Sequence, residues 1–179
     1  INCDTKTSIM KKILFVFLVL PMHAMAAEFT CQAVFSADEH FSNIETYVQA
    51  SSLSQSSRVC ADKVVQKIQA DQFDVYVDPQ NKATCTLTLA GSYSGYSLVE
   101  QILPWKPSAD SKKFEYQTSL QECLARAINQ IEQGYTYSRR YGRIKSQFNV
   151  DIQEVYFTAK LYHRHNQKPM WLSLAVESQ

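Results

Sequence analysis

The sequence predicts an α+β domain in which two helices pack on a largely antiparallel sheet. Two patterns lead to this prediction. Several segments alternate apolar and polar residues, as half-buried strands do, beginning with "FTCQAVF" at 29–35. Two other segments, 56–70 and 119–133, place apolar residues three and four positions apart, which is typical of amphipathic helices. Each predicted helix carries one cysteine, Cys60 or Cys123, on its apolar stripe.

The N-terminal residues 10–26 are predicted to be a cleaved signal peptide. Two lysines precede the apolar run "ILFVFLVL", and "AMA" then offers the small residues that signal peptidase requires. Residues 1–9 are interpreted as upstream read-through. We expect 27–179 to form a single exported domain, periplasmic or secreted. No membrane anchor is expected after cleavage, because the apolar run is shorter than the roughly 20 residues of a spanning helix.

The first half of the domain is predicted to run strand, strand, helix, strand, strand. The last two strands are separated by the turn "DPQNK", in which proline and asparagine favour chain reversal. In chain order, these elements are predicted at residues 29–35, 44–51, 56–70, 73–77 and 84–91.

The second half is predicted to repeat that order. Its helix is the most clearly marked element, because Ser119 and Glu122 form a capping box and Gly134 supplies a stop. A phase slip near Glu154 interrupts the alternation of the long strand that follows. The remaining strands are predicted at 97–105, 113–119, 135–146, 150–162 and 170–176, with the last two forming a hairpin around the polar turn 163–169.

Alignment of the two helices at one constant offset predicts an internal duplication. Cys60 then matches Cys123, and Ile68 matches Ile131. The predicted repeats of a β-β-α-β-β unit are 27–91 and 96–162, with a C-terminal strand at 170–176 in addition.

Four cysteines remain after removal of the leader, and in an oxidising compartment they predict two disulfides. Four cysteines allow three pairings. In the duplication, Cys60 and Cys123 are counterparts of each other, whereas Cys31 and Cys85 have none. We therefore expect the pairs Cys31–Cys85 and Cys60–Cys123.

The sequence contains no complete catalytic motif. Its four glycines are too few for a glycine-rich phosphate loop. The segment "GSYSG" at 91–95 differs from the G-x-S-x-G elbow of serine hydrolases, and the cysteines lie on predicted core faces. No enzyme activity, catalytic residue or cofactor is expected.

A histidine pair offers the only weak indication of a metal. His163 and His165 flank Arg164 in the polar turn, and a metal-dependent hydrolase is a weaker alternative. Protein zinc sites usually need a third or fourth ligand, which the sequence would have to bring from Asp38, Glu39 or His40. We interpret the turn as a solvated surface and predict no metal site.

The charge of the domain is polarised along the chain. Residues 27–134 hold 8 Lys and Arg against 13 Asp and Glu, a net of −5, whereas 135–179 hold 7 against 3, a net of +4. Tyrosine and arginine are common anchors of recognition surfaces. The predicted binding residues are Tyr135, Tyr137, Arg139, Arg140, Tyr141, Arg143 and Lys145, together with His163, Arg164 and His165.

Residues 47–77, followed by "TCTLTLAG", resemble the SPOR domain of envelope proteins, in which a strand close to V-Q-x-G-S-F precedes a helix and two strands. Val48 and Gln49 match that pattern, whereas Leu53 replaces its phenylalanine. The resemblance implies binding of peptidoglycan glycan strands.

Besides the metal-dependent hydrolase, three functions remain open. The leading hypothesis is a non-enzymatic binding protein that acts on another envelope or secreted protein, as an inhibitor, immunity protein or assembly accessory. The alternatives are peptidoglycan binding and small-ligand carriage, since β-rich domains with many aromatics can enclose a cavity. Nucleic acid is not an expected partner in this compartment.

Overall fold

The computed structural model describes residues 27–37, 40–78, 85–104 and 118–179, and these form an α+β fold with a mostly antiparallel sheet and two helices. The predicted fold class is confirmed. The predicted leader and upstream residues lie outside the described residues. The elements are β1 (Ala27–Ala37), β2 (His40–Ala50), α1 (Leu53–Ala70), β3 (Val75–Val77), β4 (Cys85–Tyr93), β5 (Tyr96–Ile102), β6 (Thr118–Ser119), α2 (Leu120–Glu132), β7 (Tyr135–Tyr141), β8 (Ile144–His163) and β9 (Pro169–Ser178).

The sheet is organised around the predicted hairpin of β8 and β9, which is confirmed by the pairing of Leu161 with Met170. β1 pairs with the other edge of β9, and β2 pairs with β1. On the second edge of β8, residues 151–159 pair with β4 and residues 161–163 pair with β3. β5 and β6 then add to β4 and β3. All of these pairs are antiparallel.

Both helices lie on one face of the sheet and cover the core. Their starts are set by serine caps: Ser52 Oγ accepts a hydrogen bond from Gln55 N at 3.2 Å, and Ser119 Oγ accepts one from Glu122 N at 3.1 Å. Under the helices, alternate residues of β1, β4, β8 and β9 are buried, among them Phe157, which is 2% exposed. Within the described residues, neither helix is long and apolar enough to cross a bilayer.

The predicted extended segment 135–146 is instead a hairpin. The chain reverses at Gly142 and Arg143, so that Tyr141 pairs with Ile144. Gly142 has a φ of +59°, at the first central position of a two-residue turn, where type II′ turns place glycine. A glycine inside a run of strand-forming residues was the available signal for this reversal.

The predicted disulfide pairing was wrong. The bonds join Cys31 to Cys60 and Cys85 to Cys123, with Cα–Cα distances of 5.8 and 6.7 Å. Each bond therefore ties one strand of the sheet, β1 or β4, to the helix that packs above it. Counterparts in the proposed repeat do not pair, because the cysteine side chains meet across the layer between the sheet and the helices.

The internal duplication with boundaries 27–91 and 96–162 is not confirmed. In the first proposed repeat the opening strands, β1 and β2, pair with each other. In the second, β5 and β6 do not: β5 pairs with β4, and β6 with β3. What the two halves share is a hairpin followed by a helix, with a disulfide from the first strand of the hairpin to the helix.

Removal of either disulfide should destabilise the domain. The loops span 29 and 38 residues, for which the chain-entropy model gives about 4 kcal/mol each. We expect the double variants Cys31→Ser with Cys60→Ser, and Cys85→Ser with Cys123→Ser, to lose free energies of unfolding of similar size, measured by urea denaturation. Peptide mapping without reduction should recover Cys31 linked to Cys60; a Cys31–Cys85 peptide would contradict the observed pairing.

Candidate functional site

A two-stranded hairpin projects from the sheet and contains most of the predicted binding residues. We call it the arm, and define it as β7 together with residues 144–150 of β8. Within the described residues, β7 pairs only with β8. Every residue from Ser138 to Lys145 is exposed, including Tyr141 at 57% and Ile144 at 70%. Since side chains on both faces are exposed, the described residues leave the outer half of the arm uncovered.

The two faces of the arm differ in chemistry, because residues paired across antiparallel strands share a face. One face holds the pairs Tyr135–Val150, Tyr137–Phe148, Arg139–Ser146 and Tyr141–Ile144. The other face is polar and carries Arg140 beside Lys145. The arm thus has an aromatic face and a polar, basic face.

Four cations give the arm a strongly positive end. Residues 135–150 contain Arg139, Arg140, Arg143 and Lys145 and no acidic residue. None of these cations forms an ion pair with a carboxylate within the described part of the chain. The Arg139 guanidinium carbon lies 4.6 Å from the centre of the Tyr141 ring, a cation–π distance. The arm therefore offers uncompensated positive charge next to exposed aromatic surface.

An aromatic cluster fixes the base of the arm to the neighbouring β4–β5 hairpin. The Tyr93 ring lies 4.8 Å from Tyr137, 5.4 Å from Phe148 and 5.8 Å from Tyr96, measured between ring centres. Such pairs contribute about 0.5–1.5 kcal/mol each beyond their buried area. The direction of the arm relative to the sheet is therefore set by side-chain packing as well as by β8.

Sequence reasoning missed Tyr93, Tyr96, Phe148 and Ile144 as parts of this surface. A signal for the first two existed. The segment "YSGY" places them on either side of Ser94 and Gly95, whose φ values of +46° and +80° are those of a type I′ hairpin turn. Serine followed by glycine between two tyrosines favours such a hairpin turn rather than a nucleophile elbow.

A β-bulge separates the arm from the body of the sheet. Ala90 pairs with Glu154 but Gly91 pairs with Ile152, so one residue of β8 is skipped. The predicted phase slip near Glu154 is confirmed at this point. A side chain at Gly91 would meet the backbone carbonyl of Asp151 and would lie 3.0 Å from Cα of Ile152, so glycine permits this close approach.

The predicted contact residues do not form one surface. The turn 163–168 lies at the opposite end of β8 from the arm. Lys145 and His163 are separated by 18 residues of strand, or on the order of 60 Å at about 3.3 Å per residue. A single partner segment could not easily contact both sites. The arm contains more of the predicted binding residues than the turn does.

The histidine turn is held by hydrogen bonds within the turn and to Asp74, which precedes β3. Arg164 N donates to Asp74 O at 2.8 Å, and Arg164 Nε lies 3.1 Å from the Asp74 carboxylate. His163 Nδ1 accepts from His165 N at 3.2 Å. The described residues contain no group of three or more side chains placed to hold a metal. Asp38 and Glu39 lie outside them.

A surface cavity of about 360 Å³ lies between the end of α1 and the start of α2. Its lining mixes polar and apolar groups, including Val65, Gln69, Phe73, Ser119 and Arg164. This differs from the apolar chamber expected of a small-ligand carrier.

No protein-family model, characterised protein or solved structure matches the chain. The resemblance to the SPOR domain depends on the quoted residues alone.

Substitution of Gly91 should test the role of the bulge. Gly91→Ala places a methyl group against the backbone of β8, and we expect it to lower the free energy of unfolding by about 3 kcal/mol. Gly95→Ala is the matched control, because its methyl group would meet nothing within 4 Å and only the positive φ is strained, at a cost of about 1 kcal/mol. If both variants lost the same free energy of unfolding, measured by urea denaturation, the close approach of Gly91 to the backbone of β8 would be contradicted.

Tyr135 should make stability depend on pH in the alkaline range. Burial raises the pKa of its phenol above 10.0, and the Glu100 carboxylate, which accepts a hydrogen bond from it, raises it further. Because the folded-state pKa is raised, the stabilisation is complete below about pH 10 and is lost as the pH rises toward the folded-state pKa.

As the pH rises above about 10, the native protein should lose more stability than Tyr135→Phe, measured by urea denaturation. Glu100→Gln should reduce this difference. An identical pH dependence of the native protein and Tyr135→Phe would show that the phenol titrates normally.

Proposed function

We propose that this protein is a non-enzymatic binding protein of the periplasm or secreted space, which uses the arm to capture an acidic segment of another envelope or secreted protein. The role proposed is that of an inhibitor, an immunity protein or an assembly accessory. The observation that carries the proposal is the combination, at the end of one projecting hairpin, of four cations without a carboxylate partner among the described residues and the exposed side chains of Tyr141 and Ile144.

The compartment is supported by the disulfides and by the sequence. Two disulfides indicate an oxidising, extracytoplasmic location. Residues 10–26 supply the export signal in this proposal, and their cleavage releases the domain.

The open edge of β7 favours an extended partner segment. Within the described residues, β7 has a hydrogen-bonding partner on one side only, so the other side offers backbone N–H and C=O groups. A partner strand added there would place alternate side chains over the aromatic face and the polar, basic face of the arm. Acidic side chains would meet Arg140 and Lys145, and apolar ones would cover Tyr141 and Ile144.

Charge reversal of the arm should abolish capture. The probe is a synthetic ten-residue peptide that alternates glutamate with valine, and its binding is measured by fluorescence anisotropy. We expect the triple variant Arg139→Glu, Arg140→Glu, Arg143→Glu to weaken binding at least tenfold, because three attractive charges become repulsive. Binding by the native protein should also fall with added salt.

Two controls separate charge from shape and from folding. The triple Arg→Lys variant keeps the charge and should retain most of the affinity. Gln147→Ala and Asn149→Ala alter exposed neutral positions of the arm and should bind as the native protein does. Unchanged binding by the charge-reversal variant would refute the assignment to the arm.

Hydrogen exchange tests strand addition itself. Alternate amides of β7 should become protected when the peptide binds, whereas those of β2, an edge strand that pairs only with β1 among the described residues, should not change. Binding without protection of β7 would mean that side chains alone make the contact.

A further inference from the structure

The face of the sheet opposite the helices carries a second, separate feature. Two rows of three residues lie side by side across β1, β9 and β8, and each row is fixed by the strand register. The first row is Ser36–Trp171–Lys160, and the second is Val34–Ser173–Thr158. Together they line a surface groove of about 320 Å³. We call these six residues the groove.

Trp171 and the short residues around it give the groove its shape. Trp171 is 53% exposed, although it lies in a strand paired on both sides. Its partner on β1, Ser36, and its neighbour two residues along β9, Ser173, are small, whereas its partner on β8 is Lys160. The volume is at the small end of the range for small-molecule sites, roughly 300–1,000 Å³.

Lys160 adds a positive charge at the edge of the groove. Its ammonium lies 5.5 Å from the centre of the Tyr162 ring and 5.9 Å from that of Trp171. It forms no ion pair with a carboxylate within the described part of the chain. The acidic pair on this face, Glu154 and Glu177, lies six residues along β8, where the Tyr156 hydroxyl donates to Glu154 at 2.7 Å. Lys160 is therefore available to an anionic group.

The chemistry of the groove matches a sugar ring better than a peptide. A pyranose has an apolar C–H face that can stack on an indole, with hydroxyl groups around its edge that bond to serine, threonine and lysine. A peptide strand would need a free sheet edge, but β1, β9 and β8 are each paired on both sides. Recognition here must depend on side chains alone.

We propose that the groove binds a carbohydrate that carries a carboxylate. Trp171 stacks on the sugar ring, the hydroxyls of Ser36, Ser173 and Thr158 orient it, and Lys160 pairs with the carboxylate. The site is distinct from the arm, and its function does not depend on the function proposed there.

Titration with soluble sugars tests the site directly. The probes are digalacturonate and its uncharged methyl ester, each titrated to about 10 mM, well above the roughly millimolar affinity expected of so small a site. Fluorescence is read in a Trp105→Phe background, in which Trp171 is the single tryptophan. The acidic sugar should change the emission and bind at least tenfold more tightly than the ester.

Two variants assign the roles of the groove residues. Lys160→Met should remove the preference for the acidic sugar, so that the two probes bind equally. Trp171→Ala should lose binding of both probes. Because this variant lacks the fluorescent tryptophan, its binding is measured by saturation-transfer NMR. Tyr47→Ala removes an equally exposed aromatic, 60% exposed, from β2 and should bind as the native protein does. Thermal unfolding confirms that each variant is folded.

Co-sedimentation distinguishes the sources of such a sugar. Immobilised glycan strands, freed of their peptides by an amidase, carry muramic acid with a free carboxylate, and insoluble pectate carries galacturonate. Retention by either polymer, lost in Trp171→Ala and kept when the arm is charge-reversed, supports the groove and identifies the source. The proposal is overturned if neither soluble probe binds, if Trp171→Ala still binds, or if Lys160→Met still prefers the acid.

Discussion

Backbone hydrogen bonding along β8 is the constraint on which the rest of the molecule depends. This strand of 20 residues pairs with β9 on one edge, with β3 and β4 on the other, and with β7 at its start. The bulge opposite Gly91 divides it into two parts. The later part lies in the centre of the sheet, and the earlier part, with β7, leaves the sheet as the arm. One strand thus supplies the core and also projects a surface beyond it.

The disulfides and the helices decide which face of the sheet stays open. Each disulfide links a strand to a helix on the same side, so α1 and α2 are both held over one layer of apolar side chains. The outer face carries exposed residues at the alternate positions of the same strands, among them Val34 and Trp171. An open sheet face with a tryptophan groove follows from covering only one side of the sheet.

The basic residues of the C-terminal part of the sequence lie in two separate regions of the structure. The basic C-terminal quarter supplies the arm at one end of β8 and Lys160, Arg164 and Lys168 toward the other. Between them, Glu154 and Glu177 face each other across β8 and β9, and like charges in directly opposed positions repel. The Tyr156 hydroxyl bonds to both carboxylates, at 2.7 and 3.3 Å, and this contact raises the pKa of Tyr156. The two basic surfaces are thus separated by an acidic region.

The sequence by itself determined the elements and the side of each strand that is buried, because alternation, helical spacing and serine caps depend only on neighbouring residues. It therefore predicted α2 with its Ser119 cap, the β8–β9 hairpin, the phase slip near Glu154 and the burial of all four cysteines. It also located the arm's arginines and tyrosines, although not the turn at Gly142.

Only the tertiary structure decided which distant residues meet. The disulfide partners, the packing of Tyr93 on Tyr137, the 18-residue separation of the arm from the histidine turn and the rows of the groove all depend on strand order and register. Those are set by long-range pairing and by the packing of both helices on one face. Trp171 illustrates the difference: its exposure is predictable from the alternation of β9, and Lys160 belongs to the predicted hairpin, but its neighbour Ser36 comes from β1, far away in the chain.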